Sequence, residues 1–174
     1  MKFAYADPPY YGCCRLYAHH HPDGLCWDDV ATHEQLIARL TGEYADGWAM
    51  SCSTPSLRAI LPLCPPETRV AAWVKPFCVF KKGVRPAYAW EPVLFAGGRN
   101  KNHPPPLKGG EQTTPKDYLA EPITLRRGLT GAKPPKFCRW VLDLLGYDDT
   151  LDILDDLFPG TGVMDAVAAQ GVIA

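Results

Sequence analysis

The sequence predicts an α/β fold in which a mostly parallel sheet is covered by helices on both faces. Short apolar stretches alternate with helical patterns along the chain, as they do in sheets of this kind. Near the end of the chain, a predicted strand, a glycine-rich turn and a helical pattern follow one another directly. The chain has 174 residues, of which 47% are hydrophobic, so it can bury one substantial core but hardly a second. We therefore expect a single domain over residues 1–174.

Local signals mark the elements in chain order. The first strand runs from Lys2 to Ala6, and Thr32 with Gln35 forms a capping box for the first helix. Pro55 suits the first turn of a second helix, which later prolines end. Apolar patterns predict further strands over 47–52, 70–74, 92–95 and 151–154, and helices over 55–61 and 163–170. Lys133-Pro134-Pro135 opens another, amphipathic helix, whose apolar side carries Phe137, Val141, Leu142, Leu144 and Leu145.

The tetrapeptide Asp7-Pro8-Pro9-Tyr10 follows the first strand directly. The Asp7 carboxylate and the Pro8 carbonyl can each accept one hydrogen of an exocyclic amine, which turns the nitrogen lone pair toward an electrophile. The two prolines fix φ, so these acceptors need little reorganisation. Tyr10 can stack on a base that has left its helix. Prolines after a strand can also be simple loop residues, but the combination indicates a site that holds a planar amine for alkylation.

A second motif, Asp156-Leu157-Phe158-Pro159-Gly160-Thr161-Gly162, joins a predicted strand to a predicted helix. Gly160 and Gly162 allow the main chain to approach a ligand closely, and Asp156 at the strand tip can accept from an ammonium group. The turn lacks the Gly-Lys-Ser/Thr ending of a phosphate-binding loop. An acid before the turn instead favours a ligand with a cationic amino-acid group.

Together these motifs resemble those of the amino-methyltransferases that use S-adenosylmethionine (SAM). Asp-Pro-Pro-Tyr is typical of the adenine-N6 branch, and Asp-x-Phe-x-Gly-x-Gly of the cofactor loop. The helix opened by Lys133-Pro134-Pro135 fits the same family, in which this helix covers the methionine end of the cofactor. The catalytic motif comes first, which is the permuted order of beta-class DNA adenine methyltransferases and of the related mRNA adenosine methyltransferases. The resemblance spans nearly the whole chain.

The resemblance implies a Rossmann-like methyltransferase sheet with an antiparallel edge formed by the strands 70–74 and 92–95. It implies direct transfer of a methyl group from SAM to the N6 amine of adenine in DNA, with four catalytic residues, Asp7, Pro8, Pro9 and Tyr10. It also implies a set of cofactor-binding residues, namely Asp156, Phe158, Gly160, Gly162, Lys133, Pro134 and Ala6.

Charge is segregated along the chain, although the net charge is only −1. Bases outnumber acids from Arg99 to Arg139, and the Pro- and Gly-rich segment of approximately 98–128 predicts a mobile basic loop that grips phosphates. The same composition also occurs in surface loops without a partner. The candidate nucleic-acid-binding residues are His19, His20, Lys75, Arg99, Lys101, Arg126 and Arg127. For Lys75, an exposed surface position is the competing interpretation.

Three further features of the sequence bear on metal binding, on the substrate pocket and on the location of the protein. Cys13, Cys14, His19–His21 and Cys26 offer zinc ligands, but their spacing matches no familiar module, so we predict no metal and favour a lid over the base. Glu91 can face the pocket or pair with Arg85. Seven cysteines, no secretion signal and no long apolar stretch predict reduced thiols in the cytoplasm of a bacterial or phage-infected cell.

The sequence departs from the family pattern after the cofactor helix. Family members continue into a strand whose acid holds the ribose hydroxyls, whereas this sequence stops at Ala174. Asp23, Asp28 or Asp29 can replace that acid, the cofactor can bind weakly, or a homodimer or partner subunit can complete the site. The alternatives to a DNA adenine enzyme are an RNA adenosine enzyme, a non-catalytic subunit, and an N4-cytosine enzyme. Asp7 argues against the cytosine enzyme because that branch usually carries serine there.

Overall fold

The computed structural model describes residues 1–16, 24–78, 82–99, 114–124 and 132–170. These residues form one six-stranded sheet with helices on both faces. The strands are β1 (Lys2–Ala6), β2 (Gly47–Ser51), β3 (Arg69–Val74), β4 (Trp90–Gly97), β5 (Tyr118–Ala120) and β6 (Ile153–Asp156). The helices are α1 (Val30–Glu43), α2 (Leu57–Ile60), α3 (Pro135–Leu145) and α4 (Val163–Ala168).

The strand order is β5-β3-β4-β2-β1-β6. β1 pairs in parallel with β2 and β6, and β3 pairs in parallel with β5. β4 is antiparallel to both β2 and β3. The predicted mostly parallel α/β sheet is therefore confirmed, together with an antiparallel pair in its outer half. β5 extends that half by one short strand that the sequence did not predict, and it lies within the segment predicted as a mobile basic loop.

Alternation along the strands divides the buried side chains into two cores, one on each face of the sheet. On one face α3 and α4 pack over Phe3, Tyr5 and Trp73. On the other face α1 and α2 pack over Ala4, Trp48 and Met50. Because both faces of the central strands are covered, all of β2 is buried. Within the described residues, no helix is long and apolar enough to cross a membrane.

Three local predictions were wrong. The second helix begins at Leu57 after its N-cap Ser56, so Pro55 lies before the helix and not in its first turn. The N-cap of α1 is Asp29, whose carboxylate accepts from the Ala31 amide at 3.0 Å, and not Thr32. Thr32 lies inside the first turn, where its hydroxyl donates to the Cys26 carbonyl at 2.9 Å. The strand predicted over 151–154 begins two residues later, at Ile153, and is not buried. β6 is the last strand of the described sheet, and Ile153 is 63% exposed.

Strand direction decides where the polar side chains gather. β1, β2, β3 and β6 all run the same way, so their carboxyl ends lie along one edge of the sheet. β4 runs in the opposite direction, so it is the beginning of this strand that lies at that edge. In open sheets of this kind ligands bind outside the carboxyl ends of the strands.

Candidate active site

The two sequence motifs leave the sheet side by side. In the parallel pair of β1 and β6, Tyr5 lies opposite Asp156. The ladder continues one step further, because the Leu157 amide donates to the Tyr5 carbonyl at 2.9 Å. Asp7 follows β1 directly, and Asp156 is the last residue of β6. The fold thus brings the Asp-Pro-Pro-Tyr loop and the glycine-rich turn together from opposite ends of the sequence.

Lys133 binds the carboxylate of Asp7. Its Nζ lies 2.8 Å from Oδ1 and 2.7 Å from Oδ2 of Asp7, and 3.1 Å from the hydroxyl of Tyr10. Only 8% of the Lys133 side chain is exposed, so this ion pair is well shielded from water. Lys133 was predicted as a cofactor-binding residue, and its bond to Asp7 was not foreseen.

The start of α3 holds Lys133 in place. The carbonyl of Pro134 accepts from the amides of Phe137 and Cys138 at 2.9 and 3.2 Å, which fixes the first turn of the helix. Phe137 is fully buried, and its ring lies 5.0 Å from the ring of Trp73 and 6.3 Å from that of Tyr5. Pro134 itself is buried beneath the site. Lys133 is therefore positioned by an anchored helix end.

Glu91 and Lys75 complete a five-residue cluster, which we call the charged cluster: Asp7, Tyr10, Lys75, Glu91 and Lys133. Lys75 follows β3 and forms an ion pair with Oε1 of Glu91 near the start of β4. Oε2 of Glu91 lies 3.1 Å from the Tyr10 hydroxyl and 4.0 Å from the Nζ of Lys133.

The charges in this cluster balance as two carboxylates and two ammonium groups. Burial favours the neutral form of Glu91, but the charges of Lys133 and Lys75 outweigh burial and hold its pKa below the ordinary value. Glu91 therefore stays ionised at neutral pH. Glu91 faces the charged cluster, and its ion-pair partner is Lys75, with 10% of its side chain exposed, in place of Arg85.

Asp156 has a different environment. Burial raises the pKa of its carboxyl to about 6, and the negative charges of Asp165 and Asp7 add to that effect. The Phe158 amide, which donates to Oδ1 of Asp156 at 3.1 Å, acts in the opposite direction. A carboxylate that is partly desolvated in this way gains from a cationic ligand group.

The glycine-rich turn beside Asp156 is open on its outer side. Gly162 has φ +69°, and a Cβ placed there would meet no atom within 4 Å. Gly160 has φ +46°, and the nearest atom to its Cβ would be the Phe158 carbonyl oxygen at 3.7 Å. The turn therefore needs glycine for its backbone conformation, and it leaves room for a ligand.

Three aromatic side chains near this turn were not predicted. The ring of Trp27 lies 5.2 Å from that of Phe158 and 5.2 Å from that of His33, and Tyr11 also contacts His33. The Nε2 of His33 is 2.9 Å from the Trp27 carbonyl, and burial lowers its pKa, so the ring is neutral. Neither Trp27 nor His33 belongs to a motif, and the contact of Trp27 with Phe158 arises only from the fold.

Other predicted site residues lie elsewhere. Ala6 has no exposed surface and packs into the core beneath α1 and α2, so it offers no surface to a ligand. Arg99 lies at the opposite edge of the sheet, where it binds Asp152 at 2.5 Å and the Gly146 carbonyl at 3.1 Å. Pro8 is buried and Pro9 is half-buried beside Asp7. The remaining predicted contacts fall outside the described residues, namely His19, His20, Lys101, Arg126 and Arg127.

Of the three acids considered for a ribose contact, the two that the structure describes accept hydrogen bonds from main-chain amides. Asp28 accepts from the Gly12 amide at 2.8 Å, and Asp29 caps α1, while Asp23 lies outside the described ranges.

The candidate zinc ligands are only partly described. Within the described parts of the chain, no group of three His, Cys, Asp or Glu side chains could hold a metal ion. Of the candidates, Cys13, Cys14 and Cys26 are described, and His19–His21 are not. Burial raises the pKa of the Cys14 thiol to about 12, and that thiol approaches the Tyr10 carbonyl at 3.5 Å.

No protein-family model matches the chain, and no curated protein matches its sequence. Among solved structures, the chain is similar to the crystal structure of the M1.HpyAVI–SAM complex, with a TM-score of 0.57 and 17% sequence identity. The alignment covers 95% of this chain and 76% of that one. At this level of identity the likeness shows the fold, so the chain has the Rossmann-like α/β fold of that SAM-bound protein.

Proposed function

We propose that the protein transfers a methyl group from SAM to the exocyclic N6 amine of adenine in DNA. The observation that carries this proposal is the position of Asp7 and Asp156 at the ends of two adjacent parallel strands. One carboxylate suits an amine, and the other suits the ammonium group of an amino acid. The similarity of the fold to a protein crystallised with SAM supports the same assignment.

The residues around the glycine-rich turn fit SAM. Asp156, with its raised pKa, would hold the ammonium group of the methionine part, and the open side of Gly160 and Gly162 leaves space for the ligand. Phe158 adds an apolar surface to the same turn. When bound, SAM supplies a methyl group that its sulfonium has already activated, so the protein needs no nucleophile of its own.

Asp7, Pro8 and Tyr10 would align the amine. The Asp7 carboxylate and the Pro8 carbonyl would each accept one hydrogen, which directs the nitrogen lone pair away from the ring. The Tyr10 ring would stack on the base. Because the amine proton can leave after methyl transfer, Asp7 would act by orientation and not as a strong base. Asp7 also favours adenine over cytosine, in keeping with the resemblance described above.

Two substitutions separate the two halves of the proposed site. Asp7→Ala should lower methyl transfer at least about 100-fold and leave SAM affinity largely intact, because alignment of the amine is lost. Asp156→Asn should weaken SAM binding about 10- to 100-fold, which is the effect of losing one charged hydrogen bond. Calorimetry would measure SAM binding, and labelled SAM with unmethylated genomic DNA would measure transfer. Loss of SAM binding in Asp7→Ala would contradict the assignment of the two motifs.

A further inference from the structure

One cation in the charged cluster lies between two carboxylates. The Nζ of Lys133 is 2.7 Å from Oδ2 of Asp7 and 4.0 Å from Oε2 of Glu91. The Tyr10 hydroxyl lies between the same two groups, 3.2 Å from Asp7 Oδ1 and 3.1 Å from Glu91 Oε2. The two carboxylates therefore share a pair of donors.

An amine that binds Asp7 competes with this arrangement. Both oxygens of Asp7 already accept from Lys133, so an incoming amine must share or displace the ammonium group. Lys133 is only 8% exposed, so moving its ammonium group away from both carboxylates would separate a buried charge from two counter-charges. A nearby second carboxylate avoids that cost.

We propose that Lys133 moves from Asp7 to Glu91 when the target amine binds Asp7, so that Lys133 and Glu91 are positioning residues that control access to Asp7. This inference rests on the proposed function. The Tyr10 hydroxyl has one hydrogen and can donate to one carboxylate at a time. Asp7 Oδ1 and Glu91 Oε2 both lie within reach of this hydroxyl, at 3.2 and 3.1 Å, so it can turn from one carboxylate to the other as Lys133 moves.

Glu91 is suited to receive the ammonium group. Lys75 binds its Oε1 and leaves Oε2 facing Lys133 and Tyr10. A carboxylate accepts at both oxygens, so Glu91 can hold two lysines at once. The charge of the cluster is the same before and after the exchange, and the movement is on the order of an ångström because the two distances differ by little more than that.

A double-mutant cycle tests this exchange. Glu91→Gln removes the alternative partner and should lower kcat/KM for DNA by about tenfold, with SAM affinity unchanged within about threefold. In a Lys133→Met background Asp7 has no ammonium group to release, so adding Glu91→Gln should then change kcat/KM by less than about threefold. Glu121→Gln is the matched control. Glu121 is 19% exposed and pairs with Lys136 at 3.5 Å, close in exposure to Glu91 at 21%, and its substitution should leave kcat/KM unchanged.

Equal losses from Glu91→Gln in both backgrounds would overturn the exchange and leave Glu91 a purely structural role. If the wild-type protein binds SAM but transfers no methyl group, the proposed catalytic function fails, and NMR of the Lys133 ammonium group decides the exchange separately. Deoxyadenosine monophosphate should shift that signal, and the purine analogue without the amine should not. An equal response to both nucleotides, or no response to either, would overturn the exchange.

Discussion

Asp7 and Asp156 are two carboxylates of one sheet edge that have different partners. Lys133 and Tyr10 bind Asp7, so its negative charge is matched within the protein. Partial burial and the charges of Asp165 and Asp7 raise the pKa of Asp156 to about 6 against the opposing effect of the Phe158 amide. In the proposed function, these different environments suit Asp7 to a neutral amine and Asp156 to a cation.

The raised pKa of Asp156 predicts how SAM affinity depends on pH. Below about pH 6 the carboxyl is protonated and loses its attraction for an ammonium group. Affinity should therefore fall by roughly tenfold between pH 7 and pH 5, since each pH unit below the pKa reduces the ionised fraction about tenfold. Calorimetry across this range measures the dependence. In Asp156→Asn the dependence should be lost, and an unchanged pH profile in that variant would show that another group titrates.

The same pKa predicts an effect on stability. The pKa of Asp156 in the folded protein lies above its ordinary value of 3.8, so the folded state binds this proton more tightly than the unfolded state. Stability contributed by this residue therefore falls as the pH rises from about 4 to about 6, and the full penalty is present at pH 7. Asp156→Asn should raise the Tm at pH 7 and lose that advantage at pH 4. A lower Tm at pH 7 would contradict this reading of its environment.

At the scale of the elements, glycines at the ends of strands decide how closely neighbouring strands can approach each other. Gly97 ends β4 opposite Gly47 with φ +70°, and a Cβ there would lie 2.7 Å from the Gly47 Cα and 2.8 Å from the Asp46 carbonyl oxygen. No side chain fits at that distance. This close contact fixes β4 against β2. The start of β4, with Glu91, therefore lies at the edge of the sheet that carries the candidate site.

Gly97→Ala should therefore lower the free energy of unfolding by about 2 kcal/mol or more, from backbone strain and a steric contact together. Gly83→Ala is the matched control. Gly83 has φ +79°, but its Cβ would meet nothing within 4 Å, so only the strain applies. Denaturant unfolding of both variants measures the difference. Equal losses in the two would show that the close approach of β2 and β4 contributes nothing.

Local patterns were sufficient for most elements but not for their ends. β1 was predicted from Lys2 to Ala6 and is found there, because four apolar residues follow Lys2, are all buried, and precede the Asp7-Pro8-Pro9 loop. The first helix was predicted to start at Thr32, although Asp29 caps it, since several residues in that stretch can serve as caps and only the geometry selects one. The edge position of β6 depends on the whole sheet, so its exposure could not be read from Ile153 alone.

At the scale of the whole molecule, the sequence predicted the α/β fold. It did not predict the bonds that join distant segments. Lys133 and Asp7 are 126 positions apart, and no spacing rule relates them. The same is true of Tyr10, which follows β1, and Glu91, which lies near the start of β4. Motifs carry local chemistry, whereas the partners of each group are decided by strand order and direction.

The most direct test of the central claim identifies the product. Purified protein would be incubated with methyl-labelled SAM and, separately, with unmethylated duplex DNA, single-stranded DNA and RNA, and each sample would be digested to nucleosides for mass analysis. We predict labelled N6-methyldeoxyadenosine from DNA, and at least about 100-fold less of it with Asp7→Ala. Label on N4 of cytosine, label in RNA alone, or no label in any nucleoside while SAM is bound would contradict the account.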